Sequence, residues 1–394
     1  MKITSIEIKD VGGIPYLKLE NLDPKMNIIC GENGVGKTNI LDSISYMCSQ
    51  WSSGQLTRRA NSQTGRITIE TETESEILGE SIIDHSVETS NLDDFDPKAN
   101  RELKTVIPTL LKQAIYLRTL RDFFYKQQKS IESDPDEERY GNDVLAGVSA
   151  SDLKGWFISR FFQYNSNILE EQYRSNFELA LGAFEELNKD YSFNTVTRKN
   201  EIMVNSHSDI IYFEYLSSGF KSSLFIILGI IKEIEFRFQS KLIQAKDYAG
   251  FILIDEIELH LHPEWQGKIC EVLKKLFPKA QFFISTHSPH VIQTAGKNEV
   301  IALVRADGEV IRRDPPDSDY GYQGWTIEEI LEDVMGMPDL RTKKYNDVKD
   351  RFDRALDNQN KEEAQAAYDE LDRMLHPEYE LRQVFNMQLN SLGD

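Results

Sequence analysis

Apolar and polar residues alternate from Ile3 to Leu22 around a break at Gly12, Gly13 and Pro15, the two-residue period of a pair of short antiparallel strands. Asn27 to Cys30 continues as a third strand, and Gly31 to Lys37 is a glycine-rich turn. From Thr38 onward Asn39, Ile40, Leu41, Ile44 and Met47 follow helical spacing, so the segment reads strand, loop, helix. Arg66 to Glu70 and Ser81 to Val87 alternate again and extend the antiparallel layer. Between Lys126 and Asp143 the run of Ser130, Ser133, Asp134, Pro135, Asp136, Glu137 and Glu138 offers little to bury, which predicts a mobile loop. Leu153 to Leu187, rich in Phe, Leu, Glu and Ala and free of proline, predicts helix too short and irregular for a coiled-coil arm.

Farther along, the rhythm becomes α/β. A helix follows Gly219, strands are predicted at Phe251 to Ile254, Phe282 to Ser285 and Val300 to Val304, and a helix follows Pro263. Parallel strands alternating with helices imply a twisted sheet covered on both faces. Thr326 with Glu329 three residues on forms a capping box at the start of a helical tail, whose penultimate helix Pro377 ends.

Composition narrows the function classes. At 394 residues, 40% hydrophobic and 28% charged, the chain can build a substantial core. It contains neither a long apolar run nor a leader-like start, so membrane insertion and secretion are not expected. Cys30, Cys48 and Cys270 are an odd, scattered set that suits a reducing cytoplasm. The net charge of −20 argues against a surface built to grip nucleic acid, although the pairs Arg198–Lys199, Arg312–Arg313 and Lys343–Lys344 leave local contact open.

Four motifs carry chemistry. Gly31-Glu-Asn-Gly-Val-Gly-Lys37-Thr38 fills every fixed position of GxxxxGK[ST] between a strand and a helix. Its backbone amides suit a β-phosphate, Lys37 the β/γ oxygens and the Thr38 hydroxyl Mg²⁺. The apolar strand Phe251 to Ile254 delivers Asp255 and Glu256 at its carboxyl end, where ligands bind in open α/β sheets. Two acids suggest two tasks: Asp255 in the metal shell, and Glu256 orienting and deprotonating water. His287, just past the next strand in Ile284-Ser-Thr-His-Ser-Pro, is placed to sense a γ-phosphate, though a lone histidine after a strand is more often structural. Ser217 or Ser218 in Tyr215-Leu-Ser-Ser-Gly-Phe-Lys221 caps the helix that follows.

Taken in order, GENGVGKT, YLSSGFK, FILIDE, IELHLHP and ISTHSP resemble the ATPase heads of the SMC, RecF and OLD group within the ABC superfamily. The resemblance implies an α/β head with a mostly parallel sheet flanked by helices, an N-terminal antiparallel β layer, a helical insertion and a helical C-terminal tail. It implies Mg²⁺-ATP as cofactor and a head-to-head dimer, or a higher oligomer, with composite sites and turnover that can be slow. By that resemblance Asn33, Gly34, Gly36, Lys37, Thr38 and Asn39 bind nucleotide, and Thr38 and Asp255 hold the metal. Glu256 and His287 are catalytic, and Ser217 and Gly219 touch the γ-phosphate held by the opposite subunit. Glu258, His260, His262 and Pro263 would then lie beside the paired head, a reading preferred to a metal cluster of these residues with Glu264. Gln113, Arg118 and Arg121 are candidates for the Gln-loop or its arginine equivalent.

The implied organisation is an ATPase lobe over 1–125, a loop and helical insertion over 126–200, a second ATPase lobe over 201–310 and a helical tail over 311–394 for assembly or partner binding. Asp317 and Asp319 follow Arg312-Arg-Asp-Pro-Pro, read as loop, so no in-chain nuclease is expected. Domain economy resembles the stand-alone PtuA-type ATPases of Septu and retron-linked anti-phage systems. That resemblance implies regulation of a separate HNH nuclease or other toxic effector. A RecF-like repair ATPase binding DNA directly is the alternative, and an ATP-bound scaffold without hydrolysis a third.

Overall fold

The structure is a computed structural model that describes residues 1–50, 56–75, 79–88, 110–121, 128, 130, 133–138, 140–207, 209–306, 308–316, 318–337 and 339–392. These residues form two units, Met1–Gly336 and Met337–Asp394.

In the first unit, β1 (Lys2–Val11), β2 (Ile14–Leu19), β4 (Arg66–Ser75) and β5 (Gly79–Glu88) make an antiparallel sheet in the order β2-β1-β4-β5. The main sheet joins β3 (Met26–Gly31), β6 (Ala114–Leu117), β10 (Phe251–Ile254), β11 (Gln281–Ser285), β12 (Val300–Ala306) and β13 (Glu309–Arg313) in the order β13-β12-β3-β11-β10-β6. All neighbours in it are parallel except β12 and β13.

Its central strands are apolar throughout because both faces are covered. Ile28, Ile252, Ile254, Phe282 and Ile284 join one core with α2 (Leu153–Asn165), α3 (Glu171–Leu187), α4 (Ser218–Arg237) and α6 (Ile269–Leu276). Ile29, Phe251, Leu253 and Phe283 join a second core with α1 (Lys37–Met47), β1, β2 and β4. The period of two in these strands therefore sorts residues between two buried faces.

Three features differ from the sequence reading. The tail does not begin at residue 311: β13 pairs with β12, and Ile330 and Val334 join the first core, so the division falls after Gly336. Arg312 and Arg313 thus close a strand, not a loop. β7 (Tyr191–Val196), β8 (Ile202–Ser206) and β9 (Asp209–Tyr212) form an unforeseen antiparallel sheet, its alternation blurred by Ser, Asn and Thr at half-buried positions. Part of the expected mobile loop lies outside the described residues. Its described residues are tied down: Asp134 pairs with Arg160, Tyr140 donates to Glu233, and Glu137 accepts from Ser240.

The second unit is α9 (Lys343–Asp357), α10 (Lys361–Met374) and α11 (Leu381–Asn390) around Phe352, Leu371 and Phe385. Arg382 grips Asp372 through two bonds of 2.7 Å. Among the described residues no helix is long and apolar enough to cross a membrane.

The helical lobe is locked to α4 by buried charge. Glu235 accepts from Trp156 Nε1 and Arg160 Nε, each at 2.7 Å, on one oxygen, while its other oxygen is buried without a partner. Burial pushes this carboxyl up to about 7. Arg160→Met leaves a buried carboxylate with one donor, and urea denaturation should register a loss of about 3–5 kcal/mol. With the folded-state value raised above the unfolded one, the penalty belongs to the ionised form, so the loss should be smaller at about pH 5 than at about pH 8.

Candidate nucleotide site

The phosphate loop leaves β3 at Gly31 and enters α1 at Lys37. Gly34 (φ 75°) and Gly36 (φ 112°) adopt the left-handed region that glycine alone enters freely, and a Cβ on Gly36 would stand 2.8 Å from Ile14 Cγ1. Lys37, 6% exposed, donates to the carbonyls of Gly31 at 2.9 Å and Glu32 at 3.0 Å. Burial holds its ammonium below the ordinary lysine range. Asn33 is exposed at the loop, and the Asn39 amide lies against the Gly12 turn of the β1–β2 hairpin.

Strand order brings the other groups to this loop. β11 lies between β3 and β10, so all three strands end at one edge. Thr38 Oγ1 donates to the two Asp255 carboxylate oxygens at 3.1 and 3.2 Å. Ser285 Oγ donates to Asp255 Oδ1 at 2.6 Å and accepts from the Glu256 backbone N–H at 2.7 Å. Glu256 itself is half-buried and left-handed, with φ 48°. Glu258 accepts from Thr286 Oγ1 at 2.7 Å and from the His287 backbone N–H at 2.6 Å. Burial, then the positive charge of Lys37, holds the His287 imidazole below its ordinary value and favours the neutral ring.

Lys37, Thr38, Asp255, Glu256 and His287 therefore meet in one site. Ser217 and Gly219 do not join it: Ser217 Oγ caps α4 by accepting from Phe220 N–H at 3.3 Å, and Ser217 and Ser218 are exposed. Gly219 packs on the turn after Glu258, where a Cβ would meet His260 O at 2.8 Å, and Ser222 Oγ donates to Leu259 O at 3.2 Å. His260, His262 and Pro263 are exposed, whereas Glu258 is engaged within the chain. No group of three or more His, Cys, Asp or Glu is placed to hold a metal among the described residues.

Of the three Gln-loop candidates, Gln113 serves the sheet edge through its carbonyl, which accepts from Phe251 N–H. Arg118 pairs with Asp42 at 3.0 Å. Arg121 alone among them reaches the turn after β10, donating to the carbonyls of Asp255 and Ile257. Ser285 and Thr286 were not singled out from the sequence. Their signal was their place at the end of a strand adjacent to β10, which only strand order reveals.

These residues fit a magnesium-bound nucleoside triphosphate. Among the described residues Lys37 spends its hydrogen bonds on loop carbonyls and not on a carboxylate, and a hydroxyl and an acid face each other across the loop. Thr38 and Asp255 would hold the ion, which would supply charge neutralisation at the phosphates.

A family model described as AAA domain, putative AbiEii toxin, Type IV TA system, matches residues 26–293. The chain therefore belongs to the AAA-domain family that this model describes. Within it the chain is a member of the PtuA family, being 40% identical to the Septu protein PtuA of Bacillus thuringiensis over 99% of this chain and 98% of that protein. It is 33% identical to the Retron Ec83 probable ATPase of Escherichia coli over 34% of this chain and 24% of that one. An SMC head bound to the C-winged helix domain of ScpA aligns with a TM-score of 0.48 at 14% identity, over 79% of this chain and 98% of that one, a likeness too loose to bear on function.

Gly36→Ala should weaken binding of a fluorescent ATP analogue by about tenfold or more, since the left-handed backbone costs an alanine about 1–3 kcal/mol before the clash with Ile14 is counted. An NMR titration should place the His287 midpoint below the histidine reference of about 6.5.

Proposed function

We propose that the chain hydrolyses Mg²⁺-ATP in composite sites between two heads, and that this cycle regulates or scaffolds an anti-phage complex whose separate nuclease, of HNH type, or other toxic effector it controls. One observation carries the hydrolytic reading: within one chain the phosphate loop, Asp255, Ser285 and Glu256 are already linked by hydrogen bonds, while the two serines of the serine-glycine tip, Ser217 and Ser218, are exposed and Ser217 caps its own helix. Phosphate loop and acids joined within one chain, together with an exposed serine-glycine tip outside that set of hydrogen bonds, favour pairing of two copies.

The residue roles follow. Lys37 binds the β/γ oxygens, and the loop amides orient the phosphates. Glu256 aligns the attacking water and takes its proton. His287, neutral, offers a donor toward the terminal phosphate. The effector control comes from kinship with PtuA and the retron ATPase, two relatives whose names place them in the Septu and retron systems.

Lys37→Ala should abolish nucleotide binding in calorimetry. Glu256→Gln should keep binding, lower kcat by about 10²–10⁴ and accumulate a nucleotide-trapped dimer in size-exclusion chromatography. Normal turnover by Glu256→Gln would remove its assignment as base. Ser217→Arg and Lys37→Ala should each be inactive alone, and mixing them should restore turnover, because a hetero-pair contains one intact site. Inactivity of the mixture, with both variants folded, would argue against composite sites.

A further inference from the structure

Glu256 lies in the left-handed backbone region, which an L-residue of its kind rarely adopts. Its φ of 48° sits in the turn where β10 hands over to the segment leading to Glu258, and something must keep it there. From one side Ser285 Oγ accepts the Glu256 N–H. From the other comes Arg121, 2% exposed, on the loop that follows the edge strand β6.

Arg121 spends its guanidinium on main chain. Nε donates to Arg118 O at 3.0 Å, Nη2 to Asp255 O, and Nη1 more loosely to Ile257 O at 3.5 Å. The two carbonyls gripped by the fork flank Glu256 on either side in the chain. A guanidinium is rigid and planar, so its bond to Asp255 O directs the Asp255–Glu256 peptide plane, one of the two that flank Glu256 Cα, and its looser bond to Ile257 O ties that plane to the Ile257–Glu258 peptide, which limits the turns that Glu256 and Ile257 can make between them. Sequestering a cation among carbonyls is costly. Asp255, Glu258 and Glu256 offset part of that cost by favouring its charge.

We propose that Arg121 is a positioning residue for hydrolysis: its fork on the carbonyls of Asp255 and Ile257 holds Glu256 left-handed, which keeps the carboxylate on the side of Lys37 and His287. Arg121 acts through the backbone and touches neither nucleotide nor water. The proposal deepens the hydrolytic reading above and rests on it.

The test is Arg121→Met, with Arg121→Lys, which keeps the charge but lacks the fork, as the second variant should the first not fold. Nucleotide affinity and KM should stay at the wild-type level, kcat should fall about tenfold to a hundredfold, and a crystal structure of the variant should show Glu256 released to negative φ. A kcat close to wild type overturns the proposal, and so does a crystal structure in which Glu256 stays left-handed without the fork. A fall in nucleotide affinity equal to the fall in kcat also overturns it, since that marks a merely structural role. If the wild-type protein binds ATP but does not turn it over, the hydrolytic reading fails, and the crystallographic arm still decides whether Arg121 sets the turn.

Discussion

The site depends on one hydroxyl. Ser285 Oγ donates to the Asp255 carboxylate and accepts from the amide of Glu256, so the end of β11 fixes both acids at the end of β10. The same carboxylate accepts from Thr38 on the phosphate loop, which leaves β3 on the other flank of β11. Three parallel strands are thereby joined across their carboxyl ends by side chains, where the ladder hydrogen bonds have run out. A parallel sheet ends all its strands at the same edge only because each connection crosses back over a face, and that is why chemistry accumulates there.

A second shared constraint is burial of charge around α4. Its twenty residues are buried almost all round, and its buried charges are paired, Glu235 through one oxygen only. Lys232 donates to Asp152 at 2.8 Å, Glu233 pairs with Arg237 at 2.9 Å, and Glu235 meets Trp156 and Arg160. Such pairs add little net stability compared with apolar packing, but breaking one is expensive, so they specify a single arrangement of the helical lobe on α4. Because α4 begins at Ser218, that arrangement also sets where the serine-glycine tip stands. The rigid body that carries the tip reaches back through Gly219 and Ser222 to the turn after Glu258, and Glu258 in turn anchors Thr286 and His287. The tip and His287 are thus joined through a few contacts in one chain.

Much was legible from local pattern. The phosphate loop, the acidic strand end and the capping box at Thr326 are contiguous signals whose chemistry needs neighbours in sequence, and the box forms as the spacing implied. The alternating strands near the amino terminus and the apolar strands Phe251 to Ile254 and Phe282 to Ser285 were legible for the same reason, the latter starting one residue earlier, at Gln281. The sheet of β7, β8 and β9 was not, because a half-buried antiparallel sheet with Ser, Asn and Thr at its facing positions lacks a clean period. β13 escaped because its five residues bury only Val310 and expose Ile311, so no clean alternation marks it as a strand.

The chain's sequence alone thus determined the cradle, the acids and the family to which they belong, since each is a short motif whose backbone geometry follows from glycine, β-branched or capping residues in place. Tertiary structure alone decided which residues support them. That Ser285 bridges two acids, that Glu258 turns inward on His287, and that Arg121 and not Gln113 or Arg118 reaches the turn of Glu256, all follow from strand order and loop placement. Residues over a hundred positions apart meet there because β6, β10 and β11 are neighbours in space, and no local period along a chain encodes which strands will be neighbours.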